Sequence, residues 1–136
     1  MSFREQINGF IARFGELVGV KFDPLDQDGY ASMRRGAAVI GLNVLEERGV
    51  LMLLAPTIRV PEQGQAALFR RLLELNLVAT GDAAFAVDSQ RNIVCLRALR
   101  ALHGMDFEAF VDLLDAVATT ADEWTEKLRD ELAKGA

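Results

Sequence analysis

The chain has 136 residues, the size of one domain (1–136), and is long enough to bury a core without disulfides or metals. A net charge of −5 and a pI near 4.9 repel phosphate backbones and anionic lipid, and no basic stripe interleaved with aromatics offsets this, so nucleic acid is excluded as the expected partner. Hydrophobic residues make up 51% of the chain and the mean hydropathy is +0.15, high for a small protein with a polar surface; some of that apolar surface is expected to meet another chain.

Ser2 and Glu5 have the spacing of a capping box, which predicts a helix start. Phe3, Ile7, Phe10, Ile11, Phe14, Leu17 and Val18 then recur at steps of three and four, placing them on one face, with Gly19 suited to the C-cap. Arg4 and Glu5 stand where a secretory signal would build its apolar run, and the run from Val50 to Pro56 is far too short to span a bilayer. The expected location is the cytoplasm, with no membrane insertion. Lys21 to Gly29, rich in Asp and holding Pro24, reads as a loop.

Tyr30 to Arg34, Ala38 to Leu45 and Val50 to Ala55 are short apolar runs separated by Arg35-Gly36-Ala37 and by Glu46-Glu47-Arg48-Gly49. They predict a three-stranded antiparallel meander. Both alternating sets of the second strand are largely apolar, and the third strand is apolar throughout, so both faces of the sheet are expected to be covered. Pro61 suits the first turn of a second helix, which should run to about Ala79 and end at Gly81. Its leucines spread over more than one stripe, suggesting contact beyond the domain's own sheet. Ala84 to Asp88 and Asn92 to Leu96 form a second hairpin. Asp106 can cap a last helix, whose apolar positions from Phe107 to Leu132 give the cleanest amphipathic pattern in the chain; the tail from Ala133 to Ala136 should fray.

Reactive groups are sparse. His103, the sole histidine, has no cysteine or second histidine near it in the sequence; Cys95 lies in an apolar strand, where a thiol behaves as a small hydrophobe. A single cysteine excludes an internal disulfide and a cysteine-rich zinc site. Asp26-Gln27-Asp28-Gly29 has the look of a calcium loop but places Pro24 and Arg35 where its first and last ligands belong. No phosphate-binding glycine loop, nucleophile elbow or zinc-protease motif is present. The expectation is a protein without cofactor, metal or catalytic residues, and not an enzyme.

The order helix, three strands, helix, two strands, helix resembles the class I type III secretion chaperones of the CesT or Tir-chaperone type. The resemblance spans nearly the whole chain: Phe10 to Leu17, LMLLAP ending at Pro56, Pro61, LLELN at 72–76, GDAAFAVD at 81–88, IVCLRAL at 93–99, and the last helix with Trp124. It implies an α+β fold, a twisted antiparallel five-stranded sheet with helices packed on it. It also implies a bacterial cytoplasmic homodimer that binds an unfolded N-terminal segment of a secreted effector and keeps it soluble and export-competent without ATP. By position it places client contacts at Phe10, Phe14, Leu42, Val44 and Leu53, and the dimer interface at Leu68, Leu72, Leu75, Phe85 and Val87. The alternative is a YbjN-like peptide- or protein-binding regulatory module, similar in fold and not tied to secretion. An enzyme using carboxylates brought together by the fold is a third, minor reading.

Overall fold

The computed structural model describes residues 1–135. The element order is α1 (Phe3–Val18), β1 (Tyr30–Arg35), β2 (Ala38–Leu45), β3 (Val50–Arg59), α2 (Gln65–Val78), β4 (Ala84–Asp88), β5 (Ile93–Ala101) and α3 (Phe107–Gly135). The strands form one antiparallel sheet in the order β1-β2-β3-β5-β4, so the two hairpins join through β3 and β5. This is the expected α+β architecture.

Helix α1 begins as its sequence dictates: the Ser2 hydroxyl accepts from the Glu5 N–H at 3.1 Å. A longer-range cap reinforces it. The Glu46 carboxylate, in the β2–β3 turn, accepts from the N–H groups of Phe3 at 2.9 Å and Arg4 at 3.1 Å, placing negative charge at the positive end of the helix dipole. At the other end Gly15 lies against the returning chain, and a Cβ there would stand 2.5 Å from the Val20 carbonyl oxygen. The glycine that weakens an isolated helix is therefore the residue that lets the following loop fold back.

All three helices lie on one face of the sheet. Ile7, Ile11 and Phe14 of α1, Leu68, Leu72 and Leu75 of α2, and Phe110, Leu114, Val117, Ala121 and Leu128 of α3 enter one core. They meet Met33, Ile40, Leu42, Val44, Leu51, Leu53, Leu96 and Phe85 from the strands. The expectation that both faces are covered is corrected here. Strand alternation sends the second apolar set to a face over which no helix passes.

Two boundaries also differ from the sequence reading. Pro61 does not open α2, because β3 continues to Arg59 and the Val60 N–H still donates to the Asn92 carbonyl at 2.9 Å. The chain then turns, and Gly64, with φ of 73°, supplies the left-handed step that starts the helix at Gln65. At the C-terminus α3 stays helical through Ala133 to Gly135 rather than fraying; Ala136, part of the same expectation, lies outside the described residues.

Candidate functional site

The face of the sheet away from the helices is built by strand register. Tyr30 and Arg34 of β1, Val39, Asn43 and Leu45 of β2, Val50, Met52 and Leu54 of β3, and Arg97 and Leu99 of β5 all point to that side. Tyr30, Val39 and Leu99 are 45%, 39% and 46% exposed, and Leu45, Val50, Met52 and Leu54 are half-buried. The Tyr30 ring lies over Gly41, where an added Cβ would come within 3.0 Å of it. The result is a shallow apolar floor with a small central residue, open to solvent. A contiguous surface of this kind is characteristic of an interaction site.

The two edges of the sheet are unequal. On β4 the outward-facing backbone of Phe85 is fully engaged: its N–H donates to Asn76 Oδ1 at 2.7 Å and its carbonyl accepts from Asn76 Nδ2 at 3.3 Å. Ala83, two residues before, exchanges bonds with the Thr80 carbonyl and hydroxyl in the same way. A side-chain amide from α2 thus stands in for a neighbouring strand and closes most of that edge. On β1 only Tyr30 is closed, by exchange with Asp26. The alternation that turns the Tyr30 backbone outward also turns out Ser32 and Arg34, which have no partner on that side among the described residues.

The third surface is the outer side of α2. Leu73, Leu77 and Val78 are 71%, 83% and 86% exposed, and Leu73 and Leu77, one turn apart, share a stripe to one side of Asn76, which bonds the β4 edge. At the surface, Arg71 bonds Glu131 of α3 at 2.9 Å and lies over the Trp124 ring, linking α2 to α3, while burial of Leu68, Leu72 and Leu75 sets which side of α2 faces the core.

The positions expected from sequence lie mostly beneath these surfaces. Of the expected client contacts, Phe14, Leu42, Val44 and Leu53 are buried among the helices and strands. Phe10 is half-buried between α1 and α3, edge-on to Phe107 at 5.9 Å and beside Phe110. Of the expected interface residues, Leu68, Leu72, Leu75 and Phe85 are buried within this chain, while Val87 is 44% exposed. Leu73, Leu77 and Val78 are the apolar side chains that α2 leaves in solvent. The width of the leucine arc already pointed to contact beyond the sheet, but the expected interface positions on α2 were Leu68, Leu72 and Leu75, which pack inward.

Reactive groups do not converge. His103 is exposed in the turn before α3, and Asp26 Oδ1 accepts from the N–H groups of Asp28 and Tyr30, so it serves its own loop. Cys95 is buried, which pushes its thiol pKa up, with the nearby Asp88 carboxylate adding to the shift. Among the described residues no group of three His, Cys, Asp or Glu could hold a metal ion, and no helix is long and apolar enough to cross a membrane.

Comparison with solved structures places this fold. A chain in the crystal structure of the ExsC–ExsE complex is 26% identical and superposes with a TM-score of 0.80, covering 93% of this chain and 96% of that one. A chain of the HopA1–SchA chaperone–effector complex matches at 13% identity and a TM-score of 0.72, covering 90% of this chain and 95% of that one. A chain of the ExoU–SpcU complex from the type III secretion system of Pseudomonas aeruginosa matches at 17% identity and a TM-score of 0.65, over 88% and 95% respectively. No curated protein matches the sequence significantly. The Tir chaperone protein (CesT) family matches residues 9–125, from the middle of α1 to the second half of α3, and the chain belongs to that family.

Proposed function

We propose that this protein is a type III secretion chaperone. It binds an unfolded N-terminal segment of a secreted effector and keeps it soluble and export-competent, acting without ATP and without catalysis as a homodimer in the bacterial cytoplasm. The observation that carries the reading is the apolar sheet face left bare by all three helices in a member of the CesT family. That one of the similar structures is a chaperone–effector complex supports it.

The physical basis is equilibrium binding. An extended client gains about 25 cal/mol for each Å² of apolar surface it removes from water on the floor formed by Val39, Met52, Leu54 and Leu99. The free backbone groups of Ser32 and Arg34 offer a strand-like client hydrogen bonds at the β1 edge, the mode in which main chain gives affinity and side-chain pockets give selectivity. Phe10 stays at the surface as a client contact beside α3, whereas Phe14, Leu42, Val44 and Leu53 support the site from below. For the dimer, Leu73, Leu77 and Val78 with Val87 form the contact surface, and Leu68, Leu72, Leu75 and Phe85 hold that surface in shape.

The test is affinity capture from the protein's own cells under secretion-inducing conditions, with limited proteolysis of what co-purifies. One secreted protein, protected over a nonglobular stretch near its N-terminus, is the expected result. Recovery only of folded cytoplasmic regulators would replace this reading with that of a regulatory module.

A further inference from the structure

The bare sheet face is basic in an acidic protein. The chain carries 20 Asp and Glu against 15 Lys and Arg, yet the strand positions on that face hold Arg34, Arg59 and Arg97 against one carboxylate, Asp88. Asp88 is already committed, accepting from the N–H groups of Gln90 at 3.1 Å and Arg91 at 3.2 Å and pairing with the Arg91 guanidinium. Elsewhere some cations are paired, Arg35 with Asp115, Arg71 with Glu131, Arg100 with Asp82 and Lys127 with Glu123, and the others do not share a face so poor in carboxylates. Arg34, Arg59 and Arg97 are exposed and form no ion pair among the described residues. The acidic excess collects on the opposite side, along the outer face of α3 at Glu108, Asp112, Glu123, Glu126 and Asp130.

Resting on the chaperone reading above, we infer that the occupant of this face is an extended polypeptide in which apolar side chains are interspersed with carboxylates, the carboxylates being held by Arg34 and Arg97. A guanidinium next to an apolar floor is the preferred donor for a carboxylate that must pair while its neighbours are being desolvated. A second copy of this chain fits poorly, because two such faces would oppose arginine to arginine. An anionic membrane is disfavoured by the net charge of −5. Register sets the spacing. Arg34 lies opposite Val39, and Arg97 lies opposite Leu54, which lies opposite Gly41. Three interstrand steps and an offset of two residues separate the arginines by about 16 Å, or about five residues of extended chain.

The probe is a pair of fluorescent synthetic peptides of alternating valine and serine, one with two valines four residues apart replaced by glutamates, so that both carboxylates lie on the valine-bearing face of the extended chain about 13 Å apart with side-chain reach covering the remainder, and one with glutamines in their place. The glutamate peptide is expected to bind about tenfold more tightly at low salt, with the preference shrinking as salt rises. In the double variant Arg34→Gln, Arg97→Gln the two peptides become equal, and binding of the glutamine peptide is unchanged. Val39→Ser with Leu99→Ser weakens both. All four positions are solvent-exposed, so circular dichroism should show the fold intact. Equal binding of the two peptides by the unaltered protein, binding of neither, or a preference that survives the double variant would overturn the inference. A change in sedimenting mass in the double variant would overturn it by assigning the face to a second copy, and tighter binding to phosphatidylserine vesicles than to either peptide would overturn it by assigning the face to a membrane. Capture of a secreted client together with equal peptide binding would reject the charge selectivity alone. Glutamate preference without any secreted client would reject the chaperone reading and leave the selectivity standing.

Discussion

Leu72 and Leu73 are adjacent in sequence but point about 100° apart around α2, one into the core and one into solvent, with exposures of 4% and 71%. Replacing Leu72 by alanine removes a buried side chain from the core between α2, α3 and β4. Such truncations cost about 2–5 kcal/mol, the lost transfer energy plus that of the cavity left behind. With a urea m-value of about 1–3 kcal/mol per M for a domain of this class, the unfolding midpoint should fall by about 1–2 M. Leu73→Ala should change the stability of the isolated chain by no more than about 0.5 kcal/mol. Leu73→Asp with Leu77→Asp should leave the fold intact by circular dichroism while sedimentation velocity reports a dissociated protein. Aspartate at Leu72 or Phe85 would be uninformative about the interface, since a buried carboxylate there unfolds the chain first. The reasoning is refuted if Leu72→Ala is as mild as Leu73→Ala, or if the Leu73/Leu77 double aspartate variant sediments as an unaltered dimer.

Asn76→Ala strips the Phe85 N–H and carbonyl of their partner, which should cost about 1–3 kcal/mol in urea unfolding and raise concentration-dependent aggregation measured by light scattering, because the β4 edge is opened. Glu46→Ala removes a cap on α1 that comes from 43 residues away, and should lower stability by about 1 kcal/mol, more than Ser2→Ala, which loses a single bond at 3.1 Å. Cys95 should resist iodoacetamide in the folded protein and react in urea. Its folded pKa lies above the unfolded value of about 8.5, so the native state holds its proton where the unfolded state has lost it; stability is intact below that pH and declines as pH rises through the folded pKa. Cys95→Ala should remove that decline, as measured by urea titrations between about pH 8 and 10.

Much of this architecture was legible because it is written in local periodicity. The steps of three and four in α1 and α3, the cap at Ser2 and the alternation in the strands each follow from backbone geometry acting over a few residues. Together they specify the element order and the resemblance to the secretion chaperones. The sequence by itself also showed more apolar surface than one packing face can bury, in the two apolar sets of β2 and β3 and the many leucines of α2, but from the strands it led to an expectation of a sheet covered on both faces rather than one left bare.

Tertiary structure alone decided which side of each element meets the core. In β2 and β3 either set could have faced the helices, so Leu42, Val44 and Leu53 were as plausible at the surface as Val39, Met52 and Leu54. The choice depends on where α3 lies across the sheet, which no local pattern encodes. The same holds for α2, whose inward side is set by the packing of Leu68, Leu72 and Leu75 and, at the β4 edge, by the Asn76 bonds to Phe85, leaving Leu73 turned out. The start of α2 was misplaced because proline's preference for a first helical turn is a local tendency, and continued pairing of β3 with β5 outweighed it. The charge of the bare sheet face, finally, is a property of register. Arg34 and Arg97 are 63 residues apart in the chain and share a surface because an antiparallel sheet aligns them.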